Sequence, residues 1–222
     1  MDYAAARNKM VDSQIRTTDV TSHSVLTAFL AVPREAFVPA DLKPLAYIDE
    51  DLLVAPAAGG NPGRYMMEPS PLAKLLQLAA ITKDDLVLEV GSGEGYAAAL
   101  LSLLSGSVVS VESDEALVLR ATEKLSSLGY DNVAVVAGSL EAGYPAEAPY
   151  DVIFVNGAVE QMSEALLGQL REGGRLVAVV GYGNSARARL YVKAGGTVSF
   201  TEYFNAAVRP LPGFRKAAEF VF

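Results

Sequence analysis

The sequence predicts an α/β fold in which a mostly parallel sheet is covered by helices on both faces. Three observations indicate it. Short apolar segments recur from residue 86 onward, helical segments separate them, and residues 188–204 alternate around Gly195-Gly196. Uninterrupted apolar strands are typical of a parallel sheet buried on both faces. Alternation around a glycine pair is typical of an antiparallel hairpin, so we expect one at the C-terminal end of the sheet.

The first 80 residues come before this sheet, and we interpret them as an N-terminal helical extension. Residues 4–16 and 22–31 have helical apolar spacing, and Pro33 ends the second segment. A segment rich in Gly and Pro covers residues 57–71. Within it, Ser70-Pro71 is predicted to be the N-cap and first residue of a helix that runs to about Ala80. We expect residues 1–80 and the α/β domain of residues 81–222 to form one compact unit.

The elements of the α/β domain follow from the same patterns. The predicted parallel strands are residues 86–90, 107–111, 133–136, 151–156 and 175–181. The predicted helices between them are residues 96–104, 114–128 and 160–171. The order strand–helix–strand, closed by the hairpin, fits the Rossmann-like fold of class I methyltransferases.

Composition excludes several classes of function. The chain carries 18 basic and 26 acidic residues, a net charge of −8, so we expect no nucleic-acid partner. It has no cysteine and one histidine, and we therefore expect neither disulfides nor a metal site. The N-terminal residues have scattered charges and no apolar core of signal-peptide length, and no segment is typical of a membrane span. These features predict a cytoplasmic protein with no membrane partner; the oligomeric state is not predicted.

The segment 87–101 contains the clearest local motif. A buried strand leads through three alternating glycines into a helix, and such a loop brings backbone N–H groups and a helix N-terminus to an anion. A dinucleotide fingerprint requires a third glycine where this chain has Tyr96. The spacing Gly-x-Gly-x-Gly instead favours S-adenosylmethionine as cofactor. The residues predicted to bind it here are Glu89, Gly91, Ser92, Gly93, Gly95 and Tyr96.

Two further positions extend this predicted cofactor site. Glu112 ends the second strand, where a carboxylate can accept both hydroxyl groups of an adenosine ribose. Ser139 and Leu140 follow the third strand, where the adenine is expected. Local sequence alone leaves both open, because Glu112 also suits the start of a helix and residues 138–140 also suit a plain turn.

The chain resembles the protein-L-isoaspartate O-methyltransferases along almost its whole length. The resemblance lies in the segments MVDSQI, VLTAFLAVPREAFVP, AYIDEDL, LEVGSGEGY, LGYDNVAVVAGS, APYDVIFVNGA and LREGGRLVAVVG. It implies methyl transfer from S-adenosylmethionine to the carboxylate of an isoaspartyl residue in a damaged protein or peptide. A carboxylate acceptor, with an ordinary pKa near ~4, is ionised at neutral pH and needs no general base. Alignment and electrostatics are then expected to supply the catalysis.

The chain departs from this family at the acceptor loop. The family usually has Gln-Thr-Ile-Ser-Gln-Pro, and its serine lies beside the reacting groups; aligned on Pro69, this chain has Met67 and Glu68 at the Ser and Gln positions. These two residues and Asn156, at the end of the fourth strand, are the candidate catalytic positions. Two alternatives stay open: Met67 also suits packing of the next helix against the sheet, and Asn156 also suits a cap of its loop. Arg64 is a possible partner of Glu68 or of the acceptor carboxylate.

The departures leave three functions open. One is isoaspartyl methylation with an altered loop, another is methylation of a different, unknown acceptor, and the third is cofactor binding without catalysis. The charge run at residues 49–51 has no predicted chemistry and is interpreted as positioning a loop.

Overall fold

Helices and one small hairpin make up the N-terminal part of the computed structural model, which describes residues 1–57 and 62–214. Helix α1 (Tyr3–Met10) continues through a π-helical turn and a 3₁₀ turn to Thr18, and Ser22 caps α2 (His23–Ala31). Strands β1 (Leu52–Ala55) and β2 (Arg64–Met66) then pair in antiparallel fashion, before helix α3 (Pro69–Ala79). The prediction of helices over residues 4–16 and 22–31 agrees with α1, its extension and α2.

A seven-stranded sheet forms the rest of the described chain. Its elements in chain order are β3 (Leu86–Val90), α4 (Tyr96–Leu104), β4 (Ser107–Glu112), α5 (Glu115–Ser127), β5 (Val133–Ala137), β6 (Tyr150–Val159), α6 (Glu164–Gly168), β7 (Leu170–Val180), β8 (Arg187–Ala194) and β9 (Thr197–Asn205). The order across the sheet is β5-β4-β3-β6-β7-β8-β9, parallel from β5 to β7 and antiparallel at β8 and β9. The predicted α/β fold with its C-terminal hairpin is confirmed.

The N-terminal extension packs on one face of this sheet. Phe29, Leu72, Leu100 and Val152 belong to one buried cluster, which therefore joins α2, α3 and α4 to the sheet. A second cluster, with α6 and the side chains of Leu88, Ile153 and Leu176, covers the opposite face. Burial on both faces explains the uninterrupted apolar strands, as expected of parallel strands.

Two predicted helices have wrong boundaries. Helix α3 begins at Pro69, with Glu68 as its N-cap, rather than at Ser70-Pro71. Proline fits the first helical position because its missing N–H would have no partner there. Helix α6 covers Glu164–Gly168 instead of residues 160–171, because Ser163 caps it and β7 already begins at Leu170.

The hairpin of β1 and β2 is a further difference from the sequence prediction. The sequence predicts no strand in the segment 57–71, which is rich in Gly and Pro, and its residues 58–61 lie outside the described part of the chain. Arg64–Met66 nevertheless pairs with Leu52–Ala55. In the described ranges, no helix has the length and apolar character needed to cross a bilayer.

Candidate active site

The glycine loop lies at the carboxyl end of β3, at the centre of the sheet. The chain leaves β3 for β4 on one side and later returns to β6 on the other, so the direction of strand order reverses there. Crevices at such switch points are where ligands bind in open α/β sheets. Gly91, Gly93 and Gly95 all have positive φ, and helix α4 starts immediately after them. The prediction that this loop leads directly into a helix is therefore confirmed.

Glu112 lies beside the glycine loop at the end of β4, with its carboxylate fully buried. Its Oε2 accepts a hydrogen bond from the backbone N–H of Gly93 at 2.9 Å. Its Oε1 accepts one from the N–H of Ser113 at 2.8 Å and forms an ion pair with Arg64 Nη1 at 2.5 Å. The carboxylate predicted to bind a ribose is thus already held by the chain itself.

Glu89 and Asn156 form a second polar pair on the other side of the loop. Asn156 Nδ2 donates to Glu89 Oε1 and to the carbonyl of Gly91, both at 3.1 Å. Ser110 Oγ donates to the other oxygen of Glu89. Burial raises the pKa of Glu89 to about 7, and the nearby Glu112 charge acts in the same direction, against the hydrogen bonds from Ser110 and Asn156. Asn156 therefore orients Glu89 and the glycine loop.

One small cavity brings several of the predicted residues together. Met67, Ser92, Gly93, Tyr96 and Asn156 all line it, and its volume is about 10 Å³, roughly the room that one water needs. Candidate catalytic and candidate cofactor-binding residues thus share one space although they are up to 89 positions apart, from Met67 to Asn156. The cavity marks where the two predicted groups meet.

Tyr96 also packs into the apolar core, whereas Ser139 and Leu140 are not among the residues that line this cavity. The Tyr96 ring packs against Phe29 and Phe37, with centroids 6.3 and 5.8 Å away, so its contribution is to anchor the start of α4. Leu140 is buried in the second apolar cluster, whereas Ser139 is exposed in the turn after β5. Both stay near the end of β5, where their role in adenine binding remains a prediction.

The Glu68 carboxyl lies near three acidic residues, and Glu68 is not among the residues that line this cavity. Its backbone N–H donates to Asp51 Oδ1 at 3.0 Å, so Asp51 positions the acceptor loop. Burial, together with the charges of Asp51, Asp49 and Glu50, raises the pKa of the Glu68 carboxyl to about 7, against the opposing effect of Arg34. Within the charge run at 49–51, Asp51 makes a contact of the kind expected for loop positioning, whereas the role of Asp49 and Glu50 stays a prediction.

The buried Arg34 is a site residue that the sequence analysis missed. It is 0% exposed, and its Nη2 donates to the carbonyl of Met67 at 2.8 Å, while Nε donates to that of Ala46 at 2.7 Å. Its guanidinium lies 4.8 Å from the centroid of the Tyr96 ring. Arg34 and Glu35 are the two charged residues of the mainly apolar segment 25–38, and nothing in the local sequence shows which of them is buried.

Arg64 is the second residue whose role the sequence analysis did not identify. The sequence predicts a partner in Glu68 or in the acceptor carboxylate, whereas the guanidinium pairs with Glu112. The reason is the hairpin: β2 runs beside the carboxyl edge of the sheet and directs this side chain toward the glycine loop. Nothing local to residue 64 marks that long-range contact.

Comparison with known proteins identifies a family and close relatives by sequence. A family model described as "Protein-L-isoaspartate(D-aspartate) O-methyltransferase (PCMT)" matches residues 5–213. A protein-L-isoaspartate O-methyltransferase of Koribacter versatilis is 36% identical over 95% of this chain and 92% of its own length. One from Methanoculleus marisnigri is 38% identical over 93% of this chain and 91% of its own length.

Solved structures show the same fold. One described as a protein-L-isoaspartate O-methyltransferase superposes with a TM-score of 0.81 at 29% identity, over 93% of this chain and 66% of that chain. A putative enzyme of the same kind from Plasmodium falciparum, in complex with S-adenosyl-L-homocysteine, gives a TM-score of 0.77 at 17% identity, over 95% of this chain and 98% of that chain.

Proposed function

This chain belongs to the protein-L-isoaspartate(D-aspartate) O-methyltransferase family, and from that membership we propose that it methylates isoaspartyl carboxylates in proteins or peptides, with S-adenosylmethionine as methyl donor. The match of the family model to residues 5–213 carries the proposal, because it includes both the acceptor loop and the glycine loop. A cytoplasmic location and the absence of a nucleic-acid partner remain predictions from the sequence.

The residues around the glycine loop fit this cofactor in kind. A Cβ added to Gly93 would meet no heavy atom of the described chain within 4 Å, so the loop leaves room for close approach there. Ser92 Oγ is buried and has no hydrogen-bond partner among the described residues, which suits a polar ligand at this loop. Glu112, the glycine loop and the start of α4 would hold the cofactor, with Ser139 and Leu140 at the adenine end. When bound, it supplies an electrophilic methyl group on a sulfonium.

The protein's own contribution is binding, orientation and exclusion of water. Asn156 fixes Glu89 and the carbonyl of Gly91, and Arg34 fixes the carbonyl of Met67. These bonds fix the acceptor loop and the glycine loop, both of which line one small cavity. In such a site, two reactants that are held in line gain rate from alignment, and fixed dipoles act more strongly than in water.

Methyl transfer to a defined peptide tests the proposal. The protein is incubated with methyl-labelled S-adenosylmethionine and two peptides that differ only in having an isoaspartyl or a normal aspartyl residue. We expect label on the isoaspartyl peptide alone. If the protein binds S-adenosylhomocysteine in calorimetry but labels neither peptide, isoaspartyl methylation is wrong, and a different acceptor or a non-catalytic role remains.

The pH dependence of this reaction is expected to report the charge of Glu68. Because its carboxyl has a pKa raised to about 7, Glu68 is mostly neutral at pH 6 and ionised at pH 8, while the acceptor carboxylate is ionised at both. After solvent screening, the repulsion between the ionised Glu68 and the acceptor carboxylate is about 0.7 kcal/mol. This predicts roughly threefold lower kcat/KM at pH 8. Activity should therefore fall as pH rises through about 7.

The matched variant is Glu68→Gln, which keeps the size of the side chain but cannot ionise. Its kcat/KM is expected to change less than that of the wild type between pH 6 and pH 8, measured with the same peptide. An identical slope in the two proteins would assign the pH dependence to another group.

A further inference from the structure

The side chain of Arg64 lies where the cofactor is expected to bind. Its Nη1 is 2.5 Å from Glu112 Oε1, and only 7% of the Arg64 side chain is exposed. Its Nη2 would be 3.3 Å from a Cβ on Gly91, so the guanidinium rests against the glycine loop as well. The arginine thus touches both the carboxylate expected to bind the ribose and the loop expected to bind the methionyl group.

Leu211 lies next to Arg64 in the groove that the glycine loop and the end of β6 form. Its Cδ2 would be 2.8 Å from a Cβ on Gly91, and its Cγ 2.7 Å from one on Gly157. The segment is fixed to the end of β6, because Leu211 N–H donates to the carbonyl of Ala158 and Ala158 N–H donates to that of Arg209, both at 2.9 Å. Two segments that are distant in sequence therefore fill the groove from two sides.

Among the described residues, neither of the two cavities next to Arg64 and Met67 has room for a nucleoside. The cavity beside Met67 measures about 10 Å³, and the one between Arg64, Ser113 and Pro212 about 20 Å³. Pockets for ligands of this size are usually about 300–1,000 Å³. In the described part of the chain, the side chains of Arg64 and Leu211 therefore occupy the space beside the glycine loop.

The buried negative charge of Glu112 explains why Arg64 pairs with it. Glu112 is fully buried, and a buried carboxylate is strongly disfavoured without a counter-charge. The N–H groups of Gly93 and Ser113 satisfy part of its hydrogen bonding, whereas Arg64 supplies the positive charge. Ribose hydroxyls can replace the hydrogen bond of Arg64 but not its charge.

We propose that Arg64 determines cofactor affinity by acting as an internal competitor for Glu112. Each binding event has to break the Arg64–Glu112 ion pair and displace Leu211 from the glycine loop. The inference rests on the proposed function, because it takes S-adenosylmethionine as the cofactor. It goes beyond that function by assigning to this chain an arginine that lowers the affinity for its own methyl donor.

Calorimetric titration with S-adenosylhomocysteine tests this without turnover. Arg64→Ala is expected to bind it at least tenfold more tightly than the wild type, and Leu211→Ala several-fold more tightly. Arg189→Ala is the matched control, since Arg189 pairs with Glu202 on the exposed hairpin of β8 and β9; its affinity should be unchanged.

Thermal melting gives a second readout, because Arg64→Ala leaves Glu112 without its counter-charge. The ligand-free variant should melt below the wild type, and S-adenosylhomocysteine should raise its melting temperature by more than that of the wild type. Leu211→Ala keeps the ion pair and therefore tests the inference if Arg64→Ala does not fold.

The possible outcomes separate the two proposals. Equal or weaker binding by both groove variants, with measurable binding by the wild type, would overturn the competitor role alone. Binding by Arg64→Ala but not by the wild type would support that role in its strongest form. If no protein of the set binds the ligand, both the inference and the proposed function are wrong.

Discussion

Replacing Met67 by serine is expected to raise kcat/KM for an isoaspartyl peptide by roughly 10- to 100-fold. Met67 lines the cavity shared with Ser92 and Asn156, and relatives of this family usually have serine at the aligned position. A hydroxyl hydrogen bond to a charged group contributes about 1.5–3 kcal/mol, which corresponds to that range of rate. Initial rates with the isoaspartyl peptide, at several concentrations, measure the effect.

The control is Met67→Ala, which opens the same space without adding a hydroxyl. Met67 is only 5% exposed, so both variants lose packing, at a cost of about 2–4 kcal/mol in the free energy of unfolding. Their comparison isolates the hydroxyl. Equal rates for the serine and alanine variants would show that residue 67 does not contact the reacting carboxylate.

Replacing Arg34 by methionine is expected to lower the free energy of unfolding by about 3 kcal/mol or more. The buried guanidinium holds the carbonyls of Ala46 and Met67, and methionine would leave both without their donors in a site closed to water. For a chain of this length the melting temperature should fall by roughly 6–12 °C. Urea unfolding monitored by circular dichroism measures the change directly.

The same substitution at Arg16 provides the comparison. Arg16 also pairs with a neighbour, Asp12, but half of its side chain is exposed. Exposed ion pairs of this kind usually contribute less than about 1 kcal/mol, so Arg16→Met should barely change stability. A similar loss in both variants would mean that Arg34 is not the anchor of the acceptor loop.

Local sequence patterns predict the sheet well and the N-terminal hairpin poorly. Helix α4 has the predicted bounds because the glycine loop fixes its start and Ser105-Gly106 follows its end. Strand β2 has only three residues and follows a segment rich in Gly and Pro, so no periodicity can develop. Its pairing with β1 depends on contacts that the local sequence does not record.

In the candidate site, too, the local sequence predicts some residues and not others. Residues on the glycine loop and at the ends of β4 and β6 could be predicted, because parallel strands end at a common edge. The contacts of Arg34 and Arg64 could not, since their partners Met67 and Glu112 are 33 and 48 positions away. A buried arginine pairs with whatever the fold places beside it, and the local sequence around these two residues does not show which partner that is.

The carboxylate of Asp51 connects three segments of the chain. One oxygen accepts the N–H of Glu68, and the other pairs with Arg209 at 3.3 Å, whose guanidinium lies 4.8 Å from the centroid of the Tyr65 ring. A substitution at any one of these positions changes the charges around the others. Over evolutionary time, residues 51, 68 and 209 are therefore expected to change as a correlated set, so that a lineage with a different acceptor loop would also carry a different C-terminal segment.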